Sequence, residues 1–461
     1  MNTTQIYDSD DTICAICTPP GSGALSIIRI SGQDAFAIAD SVWKGAHLNS
    51  AKTHTAHLGY IVDCDKNTVL DQGIATIFRA PATFTGDDIV EFSIHGSRWI
   101  QRQLIDLLIR KGCRMALPGE FTRRAFASGR MNLSQAEAVA DVIAASSEAA
   151  HRLAISQMRG QYSKRLNALR DELIHLSSLL ELELDFSEED VEFADRTRLL
   201  ELATNLHKEL TRLANSFLAG AAIKNGIPVA ILGPTNAGKS SLLNALLGDD
   251  RAIVSDIHGT TRDIVEDTLE VGPYLIRFKD TAGLHETTDI IESIGISRSL
   301  SAAKTARIVL FLIDPTQPDN HVETSSGDAS MIYVINKIDI ATPSQLQHSR
   351  SLIPTDAPKV EISAAQGVNI DEIRNAILKI LEKDAETDGD TLIVTNARHA
   401  AAFRAAATST AAVIDGLRSN LSPDMIAEDL RHTIYHLATV TGEITTPHIL
   451  QSIFENFCIG K

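Results

Sequence analysis

The sequence predicts a multidomain chain. An α+β segment covers 1–120, an α-helical part is split into 121–222 and 382–461, and an α/β P-loop segment over 223–381 is inserted between the helical parts. Three observations predict this. Short β-like runs fill the first part of the chain, leucines recur at helical spacing in the middle, and a strand–loop–helix signature interrupts the helical pattern at Gly233–Ser240. A length of 461 residues fits roughly three domains of ordinary size.

Taken in order, Ala24 to Ile30, Gly73 to Phe78 and Ile89 to Ile94 read as strands, and Trp99 to Lys111 as a helix. Beyond residue 120, Ser134 and Glu137 offer a capping box for a helix start. Leu166, Leu169, Leu173, Leu176 and Leu180 form a helical stripe, which reads as core. The acidic run Asp185 to Asp195 reads as a loop, and Glu382 to Asp390 as a polar linker. Helices then follow at Ala397 to Leu417, Pro423 to Thr441 and Pro447 to Phe457, two of them with proline at the start. An insertion needs its two ends close together, which an α/β domain of this kind satisfies.

Composition narrows the function classes. Hydrophobic residues make up 44%, enough for sizeable cores, and no apolar run reaches membrane-spanning length. The first eleven residues are polar and acidic, unlike a signal peptide. Five cysteines at irregular spacing do not make a disulfide framework, so a reducing cytoplasm is expected. Cys14 and Cys17 form a CxxC with no second pair, so no zinc or redox use is expected of it. The net charge of −17 gives no global attraction to nucleic acid. Yet Arg98 to Arg170 holds thirteen Lys/Arg against five Asp/Glu, so a local patch for a polyanion stays open beside a solvated face.

The chemistry is concentrated in five segments. Gly233-Pro234-Thr235-Asn236-Ala237-Gly238-Lys239-Ser240 follows the apolar run Val229–Leu232 and precedes a helical pattern, as a P-loop does. Backbone N–H groups of Ala237, Gly238 and their neighbours, up to Ser241, would cradle phosphates, with Lys239 on the β/γ-phosphates and Ser240 on Mg²⁺. Asp280-Thr281-Ala282-Gly283 follows the strand-like Tyr274–Phe278 and suits the Mg²⁺ second shell and the γ-phosphate. Asn336-Lys337-Ile338-Asp339 ends the strand Met331–Ile335, where the Asp339 carboxylate can accept from guanine N1–H and N2–H₂. Adenine offers no such pair. Ser363 and Ala364 fit a last backbone contact to the guanine O6. The residues after Gly283 are Leu284 and His285, so no glutamine orients water there. Asn236, beside the β- and γ-phosphates, has an amide oxygen suited to a monovalent cation in the place of an arginine finger. On chemistry alone the same residue also reads as an ordinary loop-stabilising asparagine. Switch I is expected at Ser255–Asp263, with Thr261 on Mg²⁺.

The GxxNxGKS loop, Gly259-Thr260-Thr261-Arg262-Asp263, Asp280-Thr281-Ala282-Gly283-Leu284 and the terminal Cys458-Ile459-Gly460-Lys461 together resemble the MnmE (TrmE) family of tRNA uridine-5-carboxymethylaminomethyl modification GTPases. Pro19-Pro20-Gly21, Arg29-Ile30-Ser31-Gly32, Phe84-Thr85-Gly86-Asp87-Asp88 and Pro118-Gly119-Glu120-Phe121 share the resemblance, which spans essentially the full chain.

The resemblance implies a GTP hydrolase acting in tRNA modification. The first segment would be a folate-binding-like and homodimerising domain, and the inserted one a G domain. The flavoprotein MnmG would be a partner, tRNA the substrate, and 5-formyl- or 5,10-methylene-tetrahydrofolate a cofactor. It implies potassium held by Asn236, the Ser255 and Ile257 carbonyls and Thr260, and Mg²⁺ held by Ser240 and Thr261. Glu292 would orient the attacking water, so Glu292 and Lys239 form the catalytic set. Folate contacts would be Arg29, Glu91, Arg130 and Lys461, residue types that suit a pterin edge and a glutamate tail. Asp87 and Asp88 lie close to Glu91 in sequence. Cys458 is open either to modification chemistry or to packing. Three positions depart from the family pattern: Pro234 inside the loop, Ser255 in place of threonine, and Arg130 in place of lysine. A regulatory RNA-binding GTPase would carry a GxxG module or a basic tail, and neither is present. A folate enzyme in which GTP only regulates stays open.

Overall fold

Runs rich in Ile, Val and Phe, broken by turns, build a seven-stranded sheet at the start of the chain. Its elements are β1 (Ile13–Ile16), β2 (Gly23–Ser31), α1 (Ala35–Ser41), β3 (Trp43–Lys44), β4 (Thr55–Asp63), β5 (Thr68–Phe78), β6 (Ile89–Gly96), α2 (Arg98–Arg110) and β7 (Arg114–Met115). The strand order is β3-β4-β5-β6-β2-β1-β7. The computed structural model describes residues 11–185, 196–248, 267–278, 305–317, 329–388, 392–419, 421–455, 457 and 459–460. Two compact units result: one of Met1–Ala144, Ala154–His207 and Ala405–Lys461, the other of Ala145–Leu153 and Lys208–Arg404.

In the first unit, alternation along each strand sends Ile28, Ile30, Ala75, Ile77, Phe92 and Ile94 into a core with Leu104, Leu107 and Leu108 of α2. The opposite face carries Arg29 and Glu91, and it leaves Leu25, Leu58 and Ile74 exposed. Helices α3 (Glu120–Ala127), α4 (Leu133–Ala144), α5 (Glu148–Met158), α6 (Gln161–Asp185) and α7 (Arg196–Asn215) follow. Leu166, Leu169 and Leu173 of the predicted stripe are buried.

The second unit is centred on a six-stranded sheet of β8 (Ile227–Leu232), β9 (Asp267–Val271), β10 (Tyr274–Phe278), β11 (Ile308–Ile313), β12 (Ser330–Ile335) and β13 (Lys359–Glu361). Helix α8 (Phe217–Asn225) leads into it, α9 (Lys239–Leu247) and α10 (Pro343–Ser351) lie within it, and α11 (Ile370–Asp388) ends it. The order β13-β12-β11-β8-β10-β9 is parallel except for the edge strand β9. The chain builds first to one side of β8 and then to the other, so β8 is the switch point of an open α/β sheet, where ligand crevices form. Entry and exit of this stretch touch. The Val394 N–H donates to Ser216 Oγ at 3.0 Å, and a Cβ on Gly220 would lie 2.2 Å from the Val394 carbonyl. Helices α12 (Ala397–Arg418), α13 (Pro423–Thr441) and α14 (Pro447–Phe454) complete the chain, and α13 packs on α6 in the first unit. No helix among the described residues is long and apolar enough to cross a membrane.

Four expectations need correction. The capping box of α4 is Asn132 with Gln135: the Gln135 N–H donates to Asn132 Oδ1 at 3.0 Å and the Asn132 N–H to Gln135 Oε1 at 3.1 Å. Ser134 is inside the helix and buried against Ser163, at 3.1 Å. Most of the polar stretch expected as a linker is helical, because α11 runs on to Asp388 through good helix formers. The first segment holds a second helix, α1, and the unexpected strands β3, β4 and β7. The last helix stops at Phe454, short of Phe457. The expected loop at 186–195 lies outside the described residues.

Candidate functional site

The P-loop leaves β8 and ends on α9, whose Leu242, Leu243, Leu246 and Leu247 anchor it in the core. Three loop residues have positive φ: Gly233 at 142°, Asn236 at 63° and Gly238 at 93°. Asparagine tolerates that region better than most side chains, which explains its place here without any ligand. At Gly238 no side chain fits, since a Cβ would lie 2.3 Å from Asn336 Nδ2. Lys239 Nζ donates to the carbonyls of Gly233 and Pro234, both at 2.9 Å. Burial pulls its ammonium below the ordinary lysine value. Ser240 and Ser241 are exposed on the first turn of α9.

The Asn336–Asp339 segment leaves β12 one strand beyond β11. Asn336 is buried, and its side chain joins two other loops. Its Nδ2 donates to the Ala237 carbonyl at 2.8 Å, and its Oδ1 accepts from the Ala364 N–H at 2.9 Å. Each partner fixes one end of the amide, so its orientation is determined. Asp339 is exposed in the turn that follows. Ser363 exchanges backbone bonds with Val368, at 3.2 and 3.0 Å. The N–H groups of Ser363 and Ala364 are thus used within the site. The structure therefore brings together Asn236, Ala237, Gly238, Lys239, Asn336, Lys337, Ser363 and Ala364 at the carboxyl ends of β8, β12 and β13. Ser255, Ile257, Thr260, Thr261, Asp280, Thr281, Ala282, Gly283, Glu292, Cys458 and Lys461 lie outside the described residues.

Sequence reasoning missed Asp314, at the end of β11. Its side chain is fully buried, and it accepts from Lys337 Nζ at 2.6 Å. The available signal was an acidic residue closing Ile308–Ile313, a strand buried at every position.

A second cluster lies in the first unit. Arg29 on β2 stands directly across from Glu91 on β6. The guanidinium donates from Nε at 2.8 Å and Nη2 lies at 2.7 Å, both to Glu91 Oε1. It also sits 5.5 Å from the ring centroids of both Phe84 and Phe121. The neighbouring carboxylates are turned elsewhere: Asp88 accepts from the Ala80 N–H at 2.9 Å, and Asp87 lies 3.6 Å from Arg124. Arg130 donates to the Thr83 carbonyl at 3.1 Å, just before Phe84.

The chain end comes to the same sheet. Cys17 Sγ lies 3.2 Å from the Gly460 carbonyl, and the preceding Ile16 pairs with Ile28, next to Arg29. Cys14 and Cys113 are both buried free thiols in hydrogen-bond contact, and the Cys113 thiol is pushed up by that hydrogen bond and by burial. The two CxxC cysteines thus have separate partners, and the described residues hold no three-residue metal cluster.

Comparison with known proteins gives the family. Residues 12–130 match the model of the GTP-binding protein TrmE N-terminus, and residues 133–458 match that of the MnmE helical domain. The tRNA modification GTPase MnmE of Parabacteroides distasonis is 48% identical over 463 residues, covering 98% of this chain and all of the relative. The protein of the same description from Porphyromonas gingivalis is 47% identical over 468 residues, covering 98% of each chain. With two family models along most of its length and relatives close to half identical from end to end, the chain belongs to the MnmE family of tRNA modification GTPases.

Proposed function

We propose that this chain is a potassium-activated GTP hydrolase. Its turnover drives modification at C5 of the wobble uridine in certain tRNAs, with a flavoprotein partner and a tetrahydrofolate one-carbon unit. The observation that carries the nucleotide part is the Asn336 bridge, which ties the phosphate loop to the Ser363–Ala364 loop across the sheet edge. Phosphate and base ends of one ligand are thereby held in one frame.

On this reading Lys239 exchanges its two loop carbonyls for β/γ-phosphate oxygens, and exposed Asp339 accepts from guanine. Ser240, with Thr261, would hold Mg²⁺; hydroxyl donors suit that hard cation, and Ser240 is exposed beside Lys239. The amide oxygen of exposed Asn236 suits potassium in the same way, with the Ser255 and Ile257 carbonyls and Thr260. A cation there would supply the positive charge that an arginine finger supplies in other GTPases. Glu292 is the residue assigned to orient water.

Arg29, Glu91 and Arg130, with Lys461, would hold the folate. The donor set fits: an ion pair walled by Phe84 and Phe121 suits a flat polar ring, and basic side chains suit a carboxylate tail. When bound, tetrahydrofolate supplies the one-carbon unit. A homodimer is supported by the same sheet face, where Leu25 and Leu58 are 67% and 68% exposed.

GTP turnover in KCl against NaCl, for wild type and Asn236→Ala, tests the cation mechanism. Stimulation by potassium in wild type and its loss in the variant are expected; equal rates in both salts would sink it. Wobble nucleosides from cells lacking the protein test the tRNA role, since unchanged uridines would refute it.

A further inference from the structure

A fully buried carboxylate needs an explanation, because desolvation disfavours its charged form unless partners compensate. Asp314 has them. Its Oδ2 accepts from Lys337 Nζ at 2.6 Å, and its Oδ1 accepts from Thr316 Oγ1 at 2.6 Å and from the Thr316 N–H at 2.9 Å. Burial pushes its carboxyl up, but these bonds more than offset that and leave it below the usual aspartate value. The partner is unusual as well. Lys337 has φ 62°, a left-handed conformation that a lysine adopts only when its surroundings impose it. The same short segment reaches the phosphate loop, where Gln317 Nε2 donates to the Thr235 carbonyl at 3.3 Å.

We propose that Asp314 is a positioning residue for guanine selection: by fixing the Lys337 ammonium, it holds the strained turn that aims Asp339 at the base. This rests on reading Asn336–Asp339 as the base-recognition turn. Freed from Asp314, Lys337 relaxes its backbone. Asp339, two residues on, then loses its alignment with the 2-amino group.

The test compares GDP with IDP, which lacks that amino group. Wild type is expected to bind GDP more tightly than IDP. In Asp314→Ala and Asp314→Asn, GDP affinity should fall about tenfold more than IDP affinity, the value of the lost bond to the 2-amino group, since IDP keeps only the N1–H contact. Lys337→Met should do the same, and the Asp314→Ala/Lys337→Met pair should be no worse than either change alone. Thermal melting of each variant reports folding separately. A GDP-to-IDP ratio unchanged from wild type, or additive losses in the double variant, overturns the proposal and leaves Asp314 a purely structural group. A wild type without preference for GDP overturns the base-turn reading itself.

Discussion

The phosphate-loop site and the Arg29 site are assembled by different means. In the six-stranded sheet, apart from the Asp314–Lys337 ion pair, the contacts described run from side chain to backbone across strand ends: Asn336 to Ala237 and Ala364, and Lys239 to Gly233 and Pro234. In the seven-stranded sheet, Arg29 and Glu91 meet side chain to side chain in mid-strand, with rings from a loop and a helix as walls. The first site depends on the conformation of a few short segments. The second depends on strand register, since a one-residue slip would turn either partner to the other face. Substitutions should therefore act through backbone in one site and through charge in the other.

The sharpest way to break that contrast is Gly238→Val. The added side chain meets Asn336 in a left-handed backbone, so nucleotide affinity should drop by at least about 100-fold while tetrahydrofolate binding is unchanged. Fluorescent GDP titration measures the first and calorimetry the second; retained GDP binding contradicts the close fit. Next comes Asn336→Ala. It strands a buried carbonyl and a buried N–H, for about 2–6 kcal/mol at the usual cost per unpaired group. Both the melting temperature and GDP affinity should fall, and a loss of affinity alone would mean that the amide does not hold the two loops together.

Glu91→Gln sharpens the other side. It keeps a hydrogen-bonding oxygen but removes the charge facing a partly exposed Arg29, so stability should change by about 1 kcal/mol or less. Tetrahydrofolate binding should weaken far more than melting does; unchanged binding would remove Glu91 from the site.

Lys239→Met should have the smallest effect on folding. The Lys239 value lies below the ordinary 10.5, so between the two the unfolded chain binds more protons and stability rises with pH. Without the lysine, that alkaline rise should be reduced and nucleotide-free melting should not fall, although hydrolysis drops about 100-fold or more. A clear loss of stability at neutral pH would show that the two carbonyl bonds outweigh the cost of burial.

The same difference decides what the sequence makes legible. Gly233–Ser240 and Asn336–Asp339 are contiguous, and each follows an apolar strand, so spacing alone locates them. Arg29 and Glu91 are 62 residues apart, and their pairing is set by a register that no local pattern records. Resemblance, rather than residue chemistry, therefore singled them out. Asp314 escaped because one acidic residue after a strand matches no motif until Lys337 is placed beside it. At the start of α4, Asn132/Gln135 and Ser134/Glu137 fit the same capping pattern two residues apart. Packing of Ser134 on Ser163 decides between them, and that is tertiary information.

The most direct measurement is nucleotide preference in Asp339→Asn. An asparagine there can donate to the 2-carbonyl of xanthine but meets guanine's 2-amino group donor to donor. Hydrolysis of GTP should fall while hydrolysis of XTP rises, reversing the preference with the fold intact. An unchanged preference for GTP in that variant would contradict the placement of the base at this turn, and with it the nucleotide site drawn from these loops.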